Sequence, residues 1–224
     1  SDSTVAATGS VLTQSDSNTK IEATGASSSY VASDVSDIVE AVMPSIVSIT
    51  NVSESQYQSF FGGTQTQQST SCGSGIIVSQ DADNLYIATN NHVVEGADSL
   101  TVAFSDNTTV SAEIKGTDPS TDLAVIRVAL SSIDSDTLNT IKVATLGNSD
   151  DLKAGQAAIA IGNALGYGQS VTTGVISALN REVTVSDSNS NTNYTAELIQ
   201  TSAAINPGNS GGALLNAAGE VIGI

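Results

Sequence analysis

The sequence contains no tryptophan, three phenylalanines, one histidine and one cysteine, and only six lysines and arginines against 23 aspartates and glutamates. Each scarcity excludes something. Cys72 has no second cysteine with which to close a disulfide, and with His92 as its one companion it cannot complete a zinc-ligand set, so neither metal nor cofactor is expected. The net charge of −17 repels phosphate groups, which argues against nucleic acid and anionic membrane surfaces as partners. No apolar run approaches the roughly 20 residues that a membrane-spanning helix needs. With so few aromatics the core has to rest on Val, Ile, Leu and Ala, a composition that favours strands.

At 224 residues the chain suits one large domain or two small subdomains. Residues 1–29, rich in Ser, Thr, Ala and Gly and without a sustained period, read as a linker or tail, the alternative being that part of them adds a strand to a sheet edge. Val35, Ile38, Val39 and Val42 follow the i, i+3, i+4, i+7 spacing of a short amphipathic helix, with Asp34 as N-cap and Pro44 closing it. Beyond it, apolar β-branched runs predict strands near 45–50, 74–79, 85–90, 100–104, 109–115, 123–129, 157–162, 171–179, 195–201, 212–215 and 221–224. Many short strands without intervening helices predict an all-β barrel or sandwich. A polar stretch at 131–155 divides them, giving a helix and first barrel over 30–130, a connection, and a second barrel over 156–224. The insertions 51–71 and 183–194 read as long loops. The sequon Asn51-Val-Ser53 is assigned no role.

The stretch INPGNSGG, residues 205–212, places Ser210 among glycines. A serine nucleophile needs a base to take its proton, a carboxylate to orient that base, and backbone N–H groups aimed at the developing oxyanion. Gly208 permits a backbone geometry closed to residues with a Cβ, so that its N–H and that of Ser210 can converge, while Gly211 and Gly212 are expected to leave room for substrate. His92, in IATNNHVVEGAD, is predicted at a strand end beside a single helical turn, and a lone histidine is more often a structural residue than a catalyst. Asp122, in DPSTDLAVIRV, either forms part of a turn or is held near buried surface at the mouth of an apolar strand. Residues 208–212 also fit G-x-S-x-G, but hydrolases with that elbow run Ser, acid, His, and no histidine follows Ser210. The order His92, Asp122, Ser210 is that of the chymotrypsin-type proteases.

TNNHVV, DPSTDLAVIRV and QTSAAINPGNSGGALLN together resemble the HtrA/DegP-type serine proteases from about Val35 to Ile224. The resemblance implies two six-stranded antiparallel β-barrels of the chymotrypsin/trypsin-like fold, the second incomplete, with a short N-terminal helix. It also implies His92 as general base, Asp122 as its orienting acid, Ser210 as nucleophile, and an oxyanion hole from Gly208, Asn209 and Ser210. The implied activity is ATP-independent endoproteolysis of misfolded or damaged proteins outside the cytoplasm, by a homo-trimer whose membrane link is an N-terminal anchor since removed. A catalytically silent barrel scaffold that binds unfolded chains or partner subunits is the alternative.

In trypsin-like enzymes the residue six before the nucleophile lies at the base of the primary specificity pocket. Here it is Ala204, followed by Ile205, which predicts cleavage after small or medium aliphatic residues rather than Lys or Arg. Asn209, where digestive enzymes carry an aspartate, cannot pair with a freed N-terminal amine, so activation by N-terminal clipping is not expected. Ser202 and Ala213 depart from the family pattern without touching the chemistry. Phe60 and Phe61 sit in the stretch matching a regulatory loop of the family and are expected to contact a neighbouring subunit or active site, the alternative being a mobile surface loop. The chain ends at Ile224, where relatives continue with further strands and a PDZ domain, so an incomplete second barrel with an open pocket is expected.

Overall fold

The structure, a computed structural model, describes residues 34–58, 64–164, 168–187 and 192–224. Residues Val31–Ile224 form one compact unit. The tail assigned to 1–29 and the pair Phe60 and Phe61 lie outside the described residues.

Helix α1 (Ser36–Val42) carries the anticipated apolar stripe, but its N-cap position falls on Val35; Asp34 contributes from one residue further out, its Oδ1 accepting from Ser36 N at 3.0 Å. Pro44 sits in the 3-10 turn Met43–Ser45 that ends the helix. Strands β1 (Ile46–Gln58), β2 (Thr64–Gln80), β3 (Asn84–Asn90), β4 (Ser99–Ala103), β5 (Thr109–Asp118) and β6 (Leu123–Ala129) follow, interrupted by the helical turn α2 (Asn91–Val94). Together they close a barrel in the order β1-β2-β3-β6-β5-β4. Strands β7 (Ala157–Ala164), β8 (Gly168–Asp187), β9 (Thr192–Thr201), β10 (Ala213–Leu215) and β11 (Val221–Gly223) make a five-stranded sheet ordered β11-β10-β7-β8-β9. The fold is the all-β, chymotrypsin-like arrangement of one closed barrel and a second curled half-barrel.

Period-two side-chain alternation explains how β1 and β2 serve both halves. Val47, Ile49 and Ile77 point into the barrel with Leu85, Ile87, Val102, Phe104 and Ile126. Their neighbours Ile46 and Ile76 face the other way and join Ile159, Ile161 and Leu215 of the second sheet, a cluster that the stripe of α1 covers. Each of these isoleucines is fully or almost fully buried, an apolar transfer of about 2–3 kcal/mol apiece.

Two expectations are corrected. The stretches 51–71 and 183–194 are not plain loops: β1 and β2 stay paired from Asn51↔Ser71 out to Gln58↔Thr64, and β8 and β9 from Val183↔Ala196 to Asp187↔Thr192. Their Ser, Thr and Gln residues lack the apolar alternation that signals a strand, because a two-stranded arm outside the core needs only backbone pairing. The connection 131–155 contains the helix α3 (Ser135–Thr140), held where the Thr137 hydroxyl donates to Asp106 Oδ2 at 2.6 Å. That hydrogen bond keeps the Asp106 carboxyl below the usual carboxylate range.

Candidate active site

His92 lies in α2, directly after β3. Its neighbours Val93 and Val94 are buried in the barrel core and fix the turn from inside. Asn51 of β1, itself buried, fixes it from beneath by donating from Nδ2 to the carbonyls of Val93 at 3.1 Å and Glu95 at 3.0 Å. The imidazole is thereby left on the outside, 54% exposed.

Asp122 reaches the same point from the entrance of β6. The Asp118 side chain organises the preceding turn, accepting from Ser120 N at 3.0 Å and Thr121 Oγ1 at 3.0 Å. The Ser120 hydroxyl contributes most to holding the Asp118 carboxyl below the ordinary range. Asp122 then adopts a left-handed φ of 53°. In that conformation its carbonyl accepts from Asn91 N at 2.9 Å and Asn90 Nδ2 at 3.0 Å, while Oδ1 accepts from His92 N at 2.9 Å and Oδ2 lies 2.7 Å from His92 Nδ1. Asp122 is 47% exposed, so of the two readings of its place the turn at the strand entrance describes it better than near-burial, and a cluster of hydrogen bonds holds its carboxylate. Because an ionised carboxylate only accepts, the contact places the imidazole proton on Nδ1 and leaves the Nε2 lone pair free.

Ser210 arrives from the second sheet on the loop between β9 and β10. The Ser210 carbonyl accepts from Ser74 N at 2.8 Å, and Gly211 N donates to Asn90 Oδ1 at 2.7 Å, two residues from His92. Gly73 is wedged in the same seam: a Cβ there would stand 2.7 Å from Val93 Cγ1 and 3.1 Å from the Ser210 carbonyl. Gly208 takes φ 101°, a region open to glycine alone. Among the described residues the N–H groups of Gly208 and Ser210 and the Ser210 hydroxyl have no hydrogen-bond partner. Asn209 stands apart from the other two expected oxyanion donors. Its N–H donates to the Asn206 carbonyl at 3.0 Å, and its buried side chain donates from Nδ2 to Ala204 O at 3.3 Å.

Gly211 and Gly212 do not keep space for a substrate. A Cβ on Gly211 would lie 2.2 Å from Ser74 O and Thr89 Oγ1, and one on Gly212 2.2 Å from Ile161 O. These glycines let the 205–212 loop press against the strands beneath it. Ala204 and Ile205 are exposed, Ile205 at 63%, with the Ala204 carbonyl accepting from Thr172 Oγ1 at 2.7 Å.

Sequence reasoning missed the residues that hold this assembly: Asn51, Ser74, Thr89, Asn90 and Asn163. Their one signal is small polar side chains inside otherwise apolar strand runs, as with Ser74 between Gly73 and Gly75. Among the described residues no group of His, Cys, Asp and Glu is arranged to hold a metal ion.

The model of the family described as "Trypsin-like peptidase domain" matches residues 73–224. The chain is 43% identical over 199 residues to the serine protease Do-like HtrA of Bacillus subtilis, covering 86% of this chain and 42% of that protein. It is 47% identical over 159 residues to a probable periplasmic serine endoprotease DegP-like of Halomonas elongata, covering 71% of this chain and 30% of that one. Among solved structures it is similar to HtrA-type protease AlgW with decapeptide, with a TM-score of 0.64 and 34% identity over 85% of this chain and 58% of the other. The chain therefore spans less than half the length of these two curated relatives.

Proposed function

The chain belongs to the trypsin-like peptidases of HtrA/DegP type, and from that premise we propose that it is an ATP-independent serine endopeptidase working through His92, Asp122 and Ser210. The observation that carries the reading is the double hold of Asp122 on His92, through the ring at 2.7 Å and the backbone at 2.9 Å, beside a loop with two unengaged N–H groups.

In this reading His92 Nε2 takes the Ser210 proton as Oγ attacks the scissile carbonyl. Asp122 keeps the proton on Nδ1 and stabilises the imidazolium that forms. The N–H groups of Gly208 and Ser210 receive the oxyanion, a contribution of about 3–4 kcal/mol per donor at such sites. The protonated imidazole then passes its proton to the leaving amine, and water, deprotonated by the same nitrogen, releases the acyl group from Ser210. Substrate entry brings the hydroxyl within reach of Nε2, since such contacts commonly tighten only in the substrate complex.

The substrates are unfolded or damaged proteins with small or medium aliphatic residues at P1, which Ala204 and Ile205 would receive. The site of action is extracytoplasmic, in keeping with the periplasmic name of the Halomonas relative, and the working form is a homo-trimer.

A fluorophosphonate probe tests the reading directly, because it reports an activated serine without requiring the right peptide. Labelling of the wild-type chain that His92→Ala abolishes supports it. Casein degraded equally by wild type and Ser210→Ala, or by neither, would sink it.

A further inference from the structure

Resting on that reading of the site, we propose that Ser74 is a positioning residue that sets the oxyanion hole from behind, by gripping the carbonyls of Gly208 and Ser210, the two residues whose N–H groups receive the charge. Ser74 is fully buried in β2. Its N–H donates to the Ser210 carbonyl at 2.8 Å and its hydroxyl to the Gly208 carbonyl at 2.6 Å.

The direction of the second bond is determined. Asn163 N, at the end of β7, donates to Ser74 Oγ at 2.7 Å, and a backbone N–H can only donate. The single hydroxyl proton is therefore committed to Gly208. The main chain of Ser74 is fixed in turn by Thr89 Oγ1, which donates to its carbonyl at 2.7 Å.

The consequence falls on one peptide plane. The unit joining Gly208 to Asn209 is held at its carbonyl by Ser74 Oγ and at its N–H by Asn206 O, 3.0 Å away. Gly208 at φ 101° has no Cβ to resist rotation, so this plane would otherwise turn with little steric penalty. Rotating it changes the angle between the Gly208 and Ser210 N–H vectors, which must converge on one oxygen. Ser74 supplies no group to the reaction. It removes the freedom that would let the two donors diverge, and because its hydroxyl also engages Asn163, the hole is aligned only while barrel and second sheet are docked.

The test is steady-state kinetics of the 224-residue chain and its Ser74→Ala variant, with wild-type fluorophosphonate labelling as control and unfolding curves to confirm the fold. In the variant kcat falls about 10- to 100-fold, as expected for misaligned oxyanion donors, while KM stays within about twofold. Affinity for a peptide boronate, which mimics the tetrahedral intermediate, falls by the same factor as kcat/KM. A folded Ser74→Ala with wild-type kcat, or one changed only in KM, overturns the proposal. Should Ser74→Ala fail to fold, Ser74→Cys is measured instead: a smaller fall in kcat supports the proposal, and full kcat or failure to fold overturns it. An unlabelled wild-type chain overturns the protease reading itself and the present inference with it, an outcome distinct from the others.

Discussion

Asp122 Oδ2 lies 2.7 Å from His92 Nδ1 while Oδ1 of the same carboxylate accepts from the His92 backbone N–H at 2.9 Å. One side chain thus fixes both the ring and the chain that carries it. Asp122→Asn keeps the shape, and asparagine tolerates the left-handed φ of 53°. Its amide, however, can present a donor to Nδ1 and move the ring proton to Nε2, where it blocks the base. A fall in kcat of about 10,000-fold is expected, with KM little changed, measured on a peptide substrate.

Asn51 makes a prediction of a different kind. Replacing it with Ala strips two carbonyls around the His92 turn of their donor and opens a cavity at a buried site. Urea unfolding should show a loss of about 1–3 kcal/mol, and fluorophosphonate labelling should slow even where the protein remains folded. Unaltered labelling would show that α2 holds its position without Asn51.

Gly211→Ala should be among the most damaging single changes. The position has φ 78°, and the added methyl would meet the Ser74 carbonyl and Thr89 hydroxyl at 2.2 Å. Backbone strain and overpacking together cost roughly 2–5 kcal/mol, read by thermal melting, and the nucleophile loop is pushed off its seat.

The specificity prediction rests on Ala204 and Ile205, which offer no charge to a basic side chain. In a peptide series varied only at P1, Val, Ala or Ile should exceed Arg in kcat/KM by at least about 10-fold. Arg as the best residue would refute it.

Thr137→Val removes the hydroxyl that donates to Asp106 at 2.6 Å and lies 3.0 Å from Thr108 Oγ1. A loss of about 1–2 kcal/mol is expected at neutral pH. The Asp106 carboxyl is held below its ordinary value, so its contribution is fully present above the unfolded value of about 4 and is lost as pH falls through the folded one. The gap in melting temperature between wild type and variant should therefore narrow on acidification. A gap that widens below about pH 4 would contradict the assignment.

Much of the architecture was legible because its code is local. The run LAVIRVA reads as a strand from its apolar, β-branched letters, and every second residue of it is buried along β6. The pairing of His92 with Asp122 was anticipated from the requirements of the proposed chemistry, and the structure brings those two side chains together. What stayed hidden was relational. Nothing in the letters around Ser74 says that its hydroxyl will meet Gly208, since that meeting depends on how the two halves dock. The arm formed by 53–58 and 64–69 was missed for the opposite reason: strands held together through their backbones outside the core leave no apolar alternation to read. The expected role of Gly211 and Gly212 failed because a missing side chain marks closeness without saying what comes close. The atoms that do so belong to the chain itself.

The bonds that seat the 205–212 loop, Ser74 to Gly208 and Gly211 to Asn90, join residues 134 and 121 positions apart. Contacts of such sequence separation form late in folding, after the closure of long loops and the growth of both sheets. A partly formed chain therefore carries its 205–212 loop without the Ser74 and Asn90 bonds that fix it. On the proposed protease reading, the chain would gain the power to cut only once both halves of its fold have docked.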